Sequence, residues 1–111
     1  MRGSCHCGKV NVEVARPPDW VASCNCSLCL KLAPLMAYYH PDDVTIAPAG
    51  ESDGYIWGDK CIAIHHCRTC GCLTHWESLT AGYDRMGVNA RLFDGLDLDS
   101  IEIRKINGAA Y

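Results

Sequence analysis

Apolar and polar residues alternate from the first third of the chain. Val10, Val12 and Val14 are separated by Asn11 and Glu13, a period of two that predicts a half-buried strand. Arg16-Pro17-Pro18-Asp19 ends it, and 20–23 predicts a second short strand that delivers Cys24. The segment 28–33 has room for about one helical turn before Pro34, which has no amide hydrogen to donate, stops it. Leu-Met-Ala-Tyr-Tyr-His at 35–40 reads as a buried strand, 44–47 as another after the Pro41-Asp42-Asp43 turn, and 48–54 as a loop. The segments 55–57 and 61–66 predict a hairpin around Gly58-Asp59-Lys60. Strands follow at 73–77 and 84–88, then a long loop at 89–99, then the alternating Ile101-Glu102-Ile103-Arg104 as a last strand. About eight short strands with little helix predict an all-β domain of small antiparallel sheets. No repeat, low-complexity segment or linker divides residues 1–111, so one domain is expected.

Composition changes the picture through the cysteines. There are nine in 111 residues. The N-terminus, Met1-Arg2-Gly3-Ser4-Cys5-His6-Cys7, has no apolar segment and does not read as a signal peptide, which points to the cytoplasm. No apolar run approaches the ~20 residues of a membrane span. In a reducing compartment a high cysteine count means metal or catalysis rather than disulfides. Geometry agrees, because tight C-x-C pairs bridge poorly to one another.

The cysteines fall into ordered clusters. Cys5-x-Cys7-Gly8 and Cys67-x-x-Cys70-Gly71 lie about 60 residues apart, a usual arrangement for a metal that ties an N-terminal loop to a later hairpin. Glycine after the last thiol of each permits the turn that brings backbone N–H groups to sulfur. Cys5, Cys7, Cys67 and Cys70 therefore predict a closed, structural zinc site. Cys24-Asn25-Cys26-Ser27-Leu28-Cys29 offers three more thiols at C-x-C-x-x-C spacing, one short of a tetrahedral set. Either a fourth protein ligand closes it, with Cys61, Cys72 and the five histidines as candidates, or the position is open to an exchangeable ligand. The open reading is favoured, because no further Cys or His follows close behind Cys29. Two zinc ions per chain are expected. A zinc held by three thiolates is a weak Lewis acid but soft enough to take another thiolate, which implies chemistry on a small thiol, C–S bond formation or cleavage.

The remaining candidates read as structural. Cys61 is expected to be a small buried hydrophobe; Cys72, two after Cys70 and on the same side of an extended chain, has a role near the metal only as its less favoured reading. His6 should point away from a metal held by its neighbours, and His65, His66 and His75 read as strand-face residues. Asn89 and Arg91 would share a face if extended, with an anion-binding role set against a solvated loop; Lys31 reads as solvated. The formal charge of −3 falls to about −6 once seven thiolates hold two zinc ions. Ten scattered Lys and Arg residues form no basic patch, so a nucleic-acid partner is not expected. Exposed edge strands leave a homodimer as a possible assembly.

Gly-Ser-Cys-His-Cys-Gly at 3–8, Cys-Asn-Cys-Ser-Leu-Cys at 24–29, Cys-Arg-Thr-Cys-Gly at 67–71 and Gly-Val-Asn-Ala-Arg at 87–91 together resemble the glutathione-dependent formaldehyde-activating enzyme family, which includes centromere protein V-like proteins. The resemblance implies an Mss4-like β-tent fold, a structural zinc on Cys5, Cys7, Cys67 and Cys70, and a catalytic zinc on Cys24, Cys26 and Cys29. It implies the activity of a carbon–sulfur lyase that joins formaldehyde to glutathione as S-hydroxymethylglutathione. The alternative from another class is a non-catalytic, zinc-stapled β domain used for protein binding, since a fold does not settle a function.

Overall fold

In a computed structural model the chain, described for residues 1–58 and 60–108, is nearly all β, with ten strands in two sheets. The predicted alternation becomes β2 (Asn11–Val14), which pairs antiparallel with β1 (Arg2–Ser4) and β5 (Val44–Ala47) in a three-stranded sheet. The second sheet has seven strands in the order β10-β3-β4-β9-β8-β7-β6. These are β3 (Trp20–Cys24), β4 (Met36–Tyr39), β6 (Ser52–Ile56), β7 (Ile62–Cys67), β8 (Leu73–Ser78), β9 (Met86–Asn89) and β10 (Glu102–Ile106).

One pairing departs from the expected antiparallel pattern: β10 runs parallel to β3, with Glu102 opposite Trp20 and Ile106 opposite Cys24. Both strands therefore end at the same place, beside the central cysteines. Strand β1 lies where a knuckle loop is expected; Arg-Gly-Ser has no apolar alternation, and the strand exists through backbone pairing with β2. Strand β6 likewise begins inside the expected 48–54 loop. Its burial pattern is almost wholly exposed, as befits a sheet edge with nothing to bury. Asp59, at the centre of the expected turn before β7, lies outside the described residues; Gly58 and Lys60 both take positive φ there. Cys61 is exposed ahead of β7 rather than buried in it, because the strand starts one residue later.

The core forms on one face of the long sheet. Val21, Ala37, Tyr39, Met86 and Val88 pack with Val12 and Val14 of β2 and with Ala90, Leu92 and Phe93 after β9. A satellite core holds Cys5, Val10 and Cys67. The residues between these point to the opposite face. There Trp20, Tyr38 and Trp76 make a chain of edge-to-face ring contacts, with centroids 5.6 and 6.1 Å apart. Gly87 stands opposite both Tyr38 and Trp76, and a Cβ there would overlap the Trp76 indole. Tyr38 is raised in pKa by burial and then by the negative charge of Cys24.

His65 and His75 are strand-face residues, as expected, and lie outside both thiol clusters. They stack with ring centroids 4.4 Å apart; His65 bridges Ser52 and Glu77, and His75 Nδ1 meets Thr74 Oγ1 at 2.9 Å. His75 is only 6% exposed, and burial, reinforced by His65, pulls its imidazole down to about 4. An unfolded histidine titrates near 6.5. Between these values the unfolded chain binds a proton that the native chain refuses. Stability is therefore lost as pH falls from about 6.5 to about 4, by up to ~3 kcal/mol. His75→Gln should flatten that dependence in urea titrations at pH 7 and 4.5, compared with the wild type so that metal loss cancels. An unchanged slope would show that His75 does not carry it.

Candidate metal centres

Two sets of thiols converge. Cys5, Cys7, Cys67 and Cys70 have their sulfurs within 4.8 Å of one another, and so have Cys24, Cys26 and Cys29. No disulfide links any of the nine cysteines. A tetrahedral metal with bonds of about 2.3 Å to sulfur requires S···S separations of about 3.8 Å. In the four-thiol set Cys5 to Cys7 is 3.6 Å and Cys7 to Cys67 is 3.7 Å, which fits.

Each loop is built to stabilise thiolates. Cys5 closes a turn in which Gly8 N donates to Cys5 O and Val10 N donates to Cys5 Sγ at 3.3 Å. Cys67 ends β7, where Gly71 N donates to Cys67 O and Thr69 N to Cys67 Sγ at 3.4 Å. Gly8 and Gly71 take the same left-handed conformation, φ 81° and 80°, so the two knuckles are alike in backbone as well as sequence. Metal-free, such sulfurs conflict. Backbone N–H groups of Cys72 and Cys7 draw Cys70 down to about 5. Cys7, although the Lys9 backbone pulls it down, is pushed up to about 11 by desolvation and by the Cys5, Cys67 and Cys70 sulfurs. A cation at the centre removes the repulsion and lets all four ionise. Cys72 packs beside this set, next to His6 and Cys70, without belonging to it.

The three-thiol set sits where β3 passes into α1 (Ser27–Leu32). Cys24 ends the strand, and Cys26 is the N-cap of the helix: its sulfur accepts from Cys29 N at 3.4 Å, while Cys26 N donates to Cys24 Sγ at 3.4 Å. Burial opposes ionisation of Cys26, but these contacts with Cys29 and Cys24 win and lower its pKa. Burial, and then Cys26, push Cys29 well up. Ala33 ends the helix in a left-handed conformation, returning its N–H to Cys29 O at 2.8 Å. Among the described residues no His, Cys, Asp or Glu joins these three sulfurs as a fourth ligand.

Asn89 and Arg91 are not an extended anion-binding pair. A 3-10 turn at Ala90–Leu92 replaces the expected loop; buried Asn89 caps it, accepting from Arg91 N and donating to Leu73 O. Arg91 Nε donates to Ala33 O, fixing the end of the helix that carries Cys29. What the sequence pattern did not reveal is the approach of Gly108 to Cys24 and the apolar groove on the other flank of α1. That groove, about 320 Å³, is walled by Leu28 and Leu32 against Tyr55, Ile64 and Leu73. Neither has a spacing signal, because each arises from elements far apart in the chain.

Fold and site define a small all-β protein with one four-thiol and one three-thiol set, each of which could hold a metal ion. The profile of the glutathione-dependent formaldehyde-activating enzyme family matches residues 1–104, and the chain belongs to that family. A crystal structure of a Rhodobacter sphaeroides protein, a structural genomics target, is similar with a TM-score of 0.79 and 27% identity, covering 94% of this chain and 100% of the other. No curated protein matches by sequence. No described helix is long and apolar enough to cross a membrane.

Proposed function

We propose that the protein is a zinc-dependent carbon–sulfur lyase that adds a small thiol to an aldehyde and reverses that addition, with glutathione and formaldehyde as the pair its family points to. The observation that carries the reading is the three-thiol set without a fourth ligand among the described residues. In this reading Cys5, Cys7, Cys67 and Cys70 hold a structural zinc, and Cys24, Cys26 and Cys29 hold the catalytic one. A zinc with three thiolate ligands supplies one soft position at which an incoming thiol ionises more readily.

The chain's own part is orientation. The N–H groups of Cys26 and Cys29 fix two of the three sulfurs, and Arg91 and Ala33 hold the helix behind them. The sulfur of the thiolate bonds to the aldehyde carbon, the C=O π pair passes to oxygen, and that oxygen takes a proton. Thiol plus aldehyde gives hydroxymethyl thioether, with no oxidant or reductant. With 13C-formaldehyde and glutathione, exchange NMR should show the zinc-loaded protein speeding interconversion at least about tenfold over the uncatalysed reaction. Equal rates with both metals in place would overturn the reading. The exposed Leu30, Leu32, Tyr55 and Ile56 favour the second reading, a protein-binding module, in that case.

A further inference from the structure

Resting on that reading, we propose that the cavity between Cys24 and the β10 tail is the carboxylate subsite of the incoming thiol, with Lys105 and Asn107 as its specificity-determining residues. The cavity holds about 290 Å³ and is lined by Ser23, Cys24, Asn25, Lys105 and Asn107 among others. It opens directly on a member of the three-thiol set, so a molecule whose sulfur reaches these thiols has space here for its remaining atoms.

This cavity and the apolar groove on the other flank of α1 differ in chemistry. The groove is walled by leucines, Ile64 and Tyr55, with His66 its one ionisable nitrogen and no Lys or Arg in its lining, and it touches none of the three thiols. The cavity beside Cys24 has Lys105 as the one charged side chain other than the cysteine itself. Asn107 Oδ1 already accepts from Asn25 Nδ2 at 3.0 Å, so what the Asn107 amide has left to offer is N–H donors. An ammonium and amide donors around a space next to a thiolate centre suit an anion held at a short distance from a sulfur: a low-molecular-weight thiol bearing a carboxylate.

The tail is held as a wall. Asn25 N donates to Ile106 O at 3.1 Å, continuing the parallel pairing of β3 with β10 past its last residue. Gly108 then passes so close to the site that a Cβ would overlap Cys24 Sγ and meet Cys26 Cβ at 3.4 Å. Only glycine allows that approach without moving the ligand. Residues 105–108 lie beyond position 104, where the family match ends.

The test uses the full chain loaded with cobalt(II), whose sulfur-to-metal charge-transfer band reports a thiol joining the three-thiol set. The probes are glutathione, glutathione diethyl ester and cysteamine, the last two without a carboxylate. The wild type should bind glutathione about tenfold more tightly than the ester, and Lys105→Gln should remove that advantage while leaving the ester's affinity and the thiol-free band unchanged. Lys105→Glu should make glutathione the weaker of the two, and Asn107→Ala should reduce the advantage in part. Equal affinity of glutathione and its ester in the wild type would overturn the subsite with the open position intact, as would an equal loss for all three thiols in Lys105→Gln. A band that none of the three thiols alters would instead remove the open position, and the subsite with it.

Discussion

On the proposed function, Cys26→Ser is expected to lower turnover by about a hundredfold or more, while the domain stays folded and keeps one of two metals. The expectation rests on what Cys26 does twice over. Its sulfur is one of three converging on the open position, and the same sulfur caps α1 by accepting from Cys29 N. Serine is among the best N-cap residues, so the variant loses the metal ligand and keeps the cap. Neither α1 nor its capping residue contributes to either hydrophobic core, and the helix has no buried residue, so the loss stays local. Circular dichroism, metal content and the exchange assay read the three consequences separately. A variant that fails to fold would move Cys24, Cys26 and Cys29 into the structural class and remove the main support for catalysis.

Cys67→Ser has the opposite outcome: the protein unfolds or melts tens of degrees lower. Cys67 is fully buried, ends β7, and packs with Cys5 and Val10 in the satellite core that joins the N-terminal knuckle to the long sheet. Folding free energies are about 5–15 kcal/mol, and a structural zinc contributes on the order of 10 kcal/mol, so its loss removes most or all of the net stability. The Thr69 N–H that now meets sulfur would face a shorter side chain in a metal-free loop. A thermal melt followed by circular dichroism checks this. A variant that melts with the wild type would mean that the four-thiol set does not hold the fold together.

The contrast between these two variants was legible in the chain before any coordinates. C-x-C and C-x-x-C with following glycines are local instructions, since a knuckle is specified by four or five consecutive residues and needs no distant partner to be recognised. The alternation at Val10, Val12 and Val14 was equally plain, because a strand with one buried face writes its period into the sequence. Strand β1 and the first half of β6 were not legible for the converse reason: Arg-Gly-Ser and Ser-Asp-Gly bury little, and only pairing with a neighbour makes them strands, whereas Tyr55 and Ile56 pair with β7 as the predicted hairpin has it. Asn89 and Arg91 looked like a ligand pair because their real partners, Leu73 O and Ala33 O, lie 16 and 58 residues away. The parallel run of β10 beside β3, and with it the cavity at Cys24, is a consequence of topology. Residue spacing carries no trace of it.

The division of seven thiols into a closed set of four and an open set of three is tested most directly by native mass spectrometry of the zinc-loaded chain with and without glutathione. Two zinc ions are expected, one indifferent to glutathione and one that gains it as a ligand or is released by it, with Cys26→Ser retaining only the indifferent one. Two zinc ions that both ignore glutathione would contradict the open site and leave the protein a stapled binding domain.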